Sequence, residues 1–136
     1  MANTITNTRI NAGKRTVTQS VTIASDGTEL TDTVVYDSSA VATALGIADP
    51  LSCTILRIRA SSNTVSANAT LTLEFDATTD VLAYTIPLNQ DVDIDFRDIG
   101  GLKNTAGSGI TGDITITSTT LTSGDSITLI LEVKPR

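Results

Sequence analysis

From Thr16 onward the chain alternates, with Val17, Gln19, Val21 and Ile23 on one side and Thr16, Thr18, Ser20 and Thr22 on the other. Successive side chains of an extended backbone point to opposite faces, so this period of two predicts a strand with a hydroxyl-covered outer face. Asp26-Gly27 predicts a turn. Leu30, Asp32, Val34 and Tyr36 then begin a second alternating run, Asp32 being the misfit on its apolar side. A hairpin is the simplest connection between the two. Asp37-Ser38-Ser39 is a capping sequence ahead of Ala40, Val41, Ala42, Ala44 and Leu45, and Gly46 is placed to end the short helix that this predicts.

Pro50 breaks the chain before a strand from Cys53 to Ala60, in which Thr54, Leu56 and Ile58 alternate with Cys53, Ile55, Arg57 and Arg59. Leu71, Leu73 and Phe75 face inward in the next run, and Thr70, Thr72, Glu74 and Asp76 face outward. Pairing of these two strands would set Arg57 and Arg59 against Glu74 and Asp76. After the turn Ala77-Thr78-Thr79-Asp80 comes a stripe of Leu82, Tyr84, Ile86 and Leu88, and Pro87 marks an edge or a strand end. Val92, Ile94 and Phe96 turn inward between Asp91, Asp93 and Asp95. A long loop, residues 100–112, precedes a strand from Asp113 to Thr119. The last run, Ser126 to Lys134, points Ile127, Leu129, Leu131 and Val133 to one side and leaves Ile130 as the apolar exception on the other.

About eight closely spaced strands and one short helix predict an all-β, single-domain, two-sheet β-sandwich, with an eight-stranded jelly roll as the leading topology. Residues 1–15 have Ile5 and Ile10 as isolated large apolar residues and end in Gly13-Lys14-Arg15, so they read as an extended N-terminal arm, with the sandwich at 16–136.

Composition narrows the chemistry. The 136 residues hold 25 Thr and 12 Ser, no His, no Trp and one Cys, and carry a formal charge of -6. That sign is wrong for neutralising phosphates, so no nucleic-acid partner is expected. No apolar run approaches the length of a membrane helix, so no membrane is expected as a partner either. Met1 to Asn7 lack the apolar stretch of a secretory signal, and lone Cys53 forms no intramolecular disulfide; both suit a protein made in a cytoplasm. A Ser or Cys nucleophile needs a base that is usually His, so no catalytic residues are expected. Gly107-Ser108-Gly109-Ile110-Thr111-Gly112 satisfies the dinucleotide pattern in letters, but a β-branched strand follows where the phosphate-binding helix should start. No cofactor is expected.

Asp91, Asp93 and Asp95 share a strand face and repel unless neutralised by calcium or by basic side chains. Their spacing fails the EF-hand pattern, with Phe96 where Gly is required and Leu102 where the bidentate Glu should stand, and no metal is assigned to them. Sugar stacking needs exposed rings, whereas Tyr36, Tyr84, Phe75 and Phe96 fall on faces assigned mainly to the core.

Three stretches carry a resemblance: Leu73 to Leu82; Asp95-Phe96-Arg97-Asp98-Ile99-Gly100-Gly101-Leu102-Lys103-Asn104; and Gly109-Ile110-Thr111-Gly112-Asp113-Ile114. Over roughly Ile55 to Val133 the chain resembles small virion proteins of tailed bacteriophages, especially phages of marine bacteria and cyanobacteria. The resemblance implies a structural β-sandwich that acts as a capsid decoration or cement protein; the expectation built on it is a place on the phage head surface with the major capsid protein and further copies of itself as partners, a trimer being the state that would suit a lattice threefold position. Its contacts are then expected from Asn7, Arg9, Lys14 and Arg15 in the arm and from Gly100, Gly101, Lys103, Asn104, Gly107, Gly109 and Gly112 in the loop. A tail or baseplate adaptor and a carbohydrate-binding sandwich module are the alternatives.

Overall fold

A computed structural model describes residues 4–12, 16–25, 27, 30–46, 53–64, 69–119 and 121–135. Among the described residues there are ten strands: β1 (Thr4–Ala12), β2 (Val17–Ala24), β3 (Thr33–Tyr36), β4 (Cys53–Asn63), β5 (Thr70–Phe75), β6 (Val81–Pro87), β7 (Val92–Asp95), β8 (Leu102–Lys103), β9 (Ile114–Ser118) and β10 (Ser126–Pro135). Helix α1 (Ser38–Leu45) joins β3 to β4. The Asp37 carboxylate accepts the Ser39 and Ala40 N–H groups at 3.0 and 3.2 Å, and Gly46 closes the helix in the left-handed conformation. The hydrogen bond from the Ser39 hydroxyl, ahead of those from the backbone, holds the Asp37 carboxyl below its ordinary range.

One sheet has the order β1-β2-β10-β4-β7, with β8 also on β4, and the other β3-β9-β5-β6. Four antiparallel pairs are nested in sequence: β2 with β10, β3 with β9, β4 with β7, and β5 with β6. They fall alternately in the first and second sheet, so the chain is one long ribbon, doubled back at the β5–β6 turn and rolled up. That is the eight-stranded jelly roll. β1 widens the first sheet at one edge and β8 adds a short rung at the other.

Alternation places the core correctly over most of this length. Val17, Val21 and Ile23 of β2 and Ile127, Leu129, Leu131 and Val133 of β10 are buried against Leu71, Leu73, Phe75, Ile114 and Ile116 of the opposite sheet. Cys53 is buried at the start of β4, where loss of solvent, helped by the charge of Asp113, pushes its thiol up to about 12. A thiol held protonated is a packing residue and a poor nucleophile.

Several expectations are corrected. Residues 4–12 are not an arm outside the sandwich but strand β1, paired with β2 from Thr4↔Ala24 to Ala12↔Val17. The physical reason is that the long edge of β2 offers a row of backbone partners, which an extended Thr- and Asn-rich segment satisfies without needing an apolar face. β2 and β3 do not form a hairpin; they lie in different sheets, because the rolled ribbon sends consecutive strands across the sandwich. β4 does not pair with β5, so Arg57 and Arg59 stand opposite Asp95 and Asp93 instead of Glu74 and Asp76.

The described registers hold four bulges, one of them at Ile10 in β1, and the other three reverse the phase of the alternation where it was read from the sequence. Leu56 is the extra residue of β4 against β10, so Ile55 and Ile58 both point inward while Arg57 points out. Val35 is the extra residue of β3, and Val34 becomes 44% exposed beside a buried Tyr36. Ala83 is the extra residue of β6, which turns Leu82 out to 60% exposure. In each case one strand carries two residues opposite one of its neighbour, and every side chain beyond that point changes face.

Candidate interaction surface

The two regions expected to make contacts lie at opposite edges of the wider sheet. Asn7 and Arg9 stand in β1, in register with Val21 and Gln19. Lys14 and Arg15 lie outside the described residues. Gly100 and Gly101 follow a 3-10 turn (Arg97–Ile99) after β7, and Lys103 is an exposed residue of β8, opposite Thr54. Four strand spacings, about 19 Å, separate β1 from β7.

The loop is pinned at both ends. Gly101 donates its N–H to Phe96 O at 2.8 Å and lies so close to β4 that a Cβ there would stand 2.9 Å from the Ile55 carbonyl oxygen. Asn104 accepts the Ala106 N–H at 3.0 Å, and Gly107 faces open space. Gly109 packs against Thr78, whose N–H bonds to Ser108 O at 3.3 Å, and Thr111 donates its hydroxyl to Asp76 at 2.7 Å. Gly112 is buried just before β9. The segment is therefore a strap that leaves the wider sheet at β8, crosses the end of the sandwich and latches onto the β5–β6 turn before entering β9.

Between the two edges lies a broad polar face. Rows read from the register run Thr18, Glu132, Arg57; then Ser20, Ile130, Arg59, Asp93; then Thr22, Thr128, Ser61. Arg57 makes a forked contact with Asp93 at 2.9 and 2.8 Å, and Arg97 reaches Glu132 at 2.8 Å and Asp95 at 3.2 Å. The triplet Asp91, Asp93 and Asp95 thus finds basic partners for two of its members within its own chain. The side-chain bond from Arg57 lowers the Asp93 carboxyl, and the Arg97 backbone N–H, followed by its guanidinium, lowers Asp95. Carboxylates held ionised in this way are poor general acids. Arg97 and Glu132 escaped the sequence reading, although a lone Glu among the hydroxyls of the last strand was a visible signal.

A carboxyl whose affinity for protons falls on folding stabilises the native state above the carboxylate range and loses that contribution as pH falls through the depressed value. Asp93→Asn is therefore expected to lower Tm at neutral pH and to have no effect well below about pH 4, where native Asp93 is protonated too. Thermal melts of both proteins across that range check it, and raised salt should shrink the neutral-pH difference.

Shallow depressions open on this face among the described residues. One, of about 330 Å³, is bordered by Arg59, Ser61, Asp93, Thr128 and Ile130. Another, of about 230 Å³, is bordered by Arg97, Gly100, Lys103, Lys134, Thr54 and Leu56 and gathers three cationic side chains in an otherwise acidic chain. The rings stay with the core: Tyr36 and Phe75 are fully buried, and Phe96 packs edge-on against Tyr84 with centroids 5.8 Å apart.

Fold and surface together define a jelly-roll β-sandwich with a wide polar sheet, an edge strand and a strapped end. No protein family and no curated protein matches this sequence.

Proposed function

We propose that the chain is a non-enzymatic structural protein of a virion that decorates an assembled capsid lattice and stabilises it. The observation that carries the reading is β1: a nine-residue edge strand, free of proline and of acidic residues, whose far side has no strand on it among the described residues. Such an edge presents unpaired backbone N–H and C=O groups that another chain can extend. The jelly roll is a fold much used in viral shells. The likeness of the Asp95 to Asn104 stretch to phage virion proteins points the same way.

In this reading the two contact regions, on opposite edges of one sheet, let each copy touch two neighbours, either capsid subunits or further copies in a trimer. A site shared between subunits exists only on the assembled shell. Binding there opposes disassembly by mass action, and many symmetric copies add avidity. The acidic body faces away from the packaged DNA.

The test is to mix purified protein with assembled shells and with dissociated capsid subunits, and to locate bound copies by cryo-electron microscopy. Binding to shells alone, at many lattice positions, is the expected result. A few copies at a single vertex would favour a tail adaptor, and no binding to shells would overturn the proposal.

A further inference from the structure

The outer face of the narrower sheet gathers three carboxylates. Asp32 lies just before β3, Glu74 in β5 and Asp80 at the end of the β5–β6 turn, and one oxygen from each lies within 4.8 Å of the other two. None of the three forms an ion pair with a Lys or Arg among the described residues. Local bonds aim them. The Asp32 N–H bonds to Thr117 Oγ1 at 3.2 Å, the Thr117 hydroxyl donates to Glu74 Oε1 at 2.9 Å, and Asp80 Oδ1 accepts the Ala77 N–H at 3.1 Å. Oδ2 of Asp80 takes no part in that turn bond. Carboxylate oxygens this close together form a donor set that a single cation can bridge.

A separate observation says what the group lacks. Thr115 is 2% exposed, and its hydroxyl oxygen has no hydrogen-bond partner among the described residues. Thr115 stands opposite Glu74 in the β5–β9 register and two residues before Thr117 on the same strand. Side chains two apart on a strand share a face, so the Thr115 hydroxyl is carried on the side where Thr117 meets Glu74 and Asp32. Buried hydroxyls without a partner are rare in native proteins, and each calls for a bound group or another explanation.

We propose that Asp32, Glu74 and Asp80, with the unpaired Thr115 hydroxyl on the same face of the sheet opposite Glu74, bind a divalent calcium ion. The donors are all oxygen, which suits a hard cation and not zinc or copper. They come from one strand, one strand entry and one turn, an irregular and partly solvated set. Calcium accepts such a set with water completing its shell, whereas magnesium demands a near-ideal octahedron. With three side-chain carboxylates the affinity belongs to the ~10⁻⁴–10⁻³ M class of extracellular modules. The ion ties the start of β3 to β5 and to the β5–β6 turn, across β9, and so clamps the full width of the sheet. This site is independent of the virion reading.

Melting the full-length protein in EDTA and in millimolar calcium chloride, with calorimetric titration of calcium into the EDTA-treated and dialysed protein, tests the inference. Calcium is expected to raise Tm by about 3–6 °C. Asp80→Asn keeps the turn acceptor and Glu74→Gln keeps the strand contact; the double variant should fold, melt no lower than the native chain in EDTA, and show neither the Tm rise nor the titration heat. Asp98→Asn, on the distant 3-10 turn, should retain both. No calcium response in the native chain, or an undiminished response in the double variant, would overturn the site. A magnesium response as large as that to calcium would overturn the choice of ion.

Discussion

Gly101→Ala is expected to destabilise the protein by about 2–4 kcal/mol, whereas Gly107→Ala, in the same loop, should change stability by less than about 0.5 kcal/mol. Gly101 has a φ of 85°, a conformation that disfavours any L side chain, and the added Cβ would press on Thr54 and on the Ile55 carbonyl oxygen. Backbone cannot move aside as a flexible side chain does, so the strap would have to lift from β4. Gly109 offers the same experiment at the other latch, with a φ of 72° and the Thr78 N atom 2.6 Å from the new Cβ. Gly107 has open space around it. Urea unfolding of the three variants measures the contrast. A neutral Gly101→Ala would mean that the strap does not rest on β4 in solution, and the contact region proposed at that edge would lose its rigid base.

Leu129→Ala should cost about 2–5 kcal/mol, a large share of the roughly 5–15 kcal/mol that keeps a domain of this kind folded. Leu129 is 0% exposed on β10, which runs between β2 and β4 in the middle of the wider sheet. Removing its side chain opens a cavity walled by both sheets, and packed strands on either side limit collapse into it. The next residue, Ile130, points to the opposite face, between Ser20 and Arg59, and Ile130→Ala should cost less than about 1 kcal/mol in the isolated protein. Denaturant melts of the pair give a direct reading of which face is core. An Ile130 cost equal to that of Leu129 would mean that the polar face is itself covered in solution.

The proposed contact and ion sites were legible to different degrees. The loop glycines could be read from the sequence as a break between strands, but not as a strap, because the latch partners Thr54 and Thr78 lie far from them in sequence. Asp91, Asp93 and Asp95 announced themselves by spacing; the partner of Asp93 proved to be Arg57 once β4 lay beside β7, whereas Asp95 is held by Arg97 only two residues further on. Asp32 stood out as a polar residue on an apolar stripe. Nothing local joined it to Glu74 and Asp80, which the narrower sheet brings together from 42 and 48 positions further along the chain.

What the sequence determined by itself was the kind of element and, over long uninterrupted runs, its buried face. Val17 to Ile23 and Ile127 to Val133 could be read directly, as could the cap at Asp37 and the stop at Gly46, because these depend on side chains two to four residues apart. The tertiary structure alone decided which strands are neighbours, that residues 4–12 belong to the sheet, and where the alternation changes phase at Val35, Leu56 and Ala83. A bulge adds no chemical mark to the residue it contains; it exists only as a mismatch between two paired strands. The partners of Arg57, and the meeting of Asp32, Glu74 and Asp80, follow from that pairing, since strand contacts are made between residues that the chain itself keeps far apart.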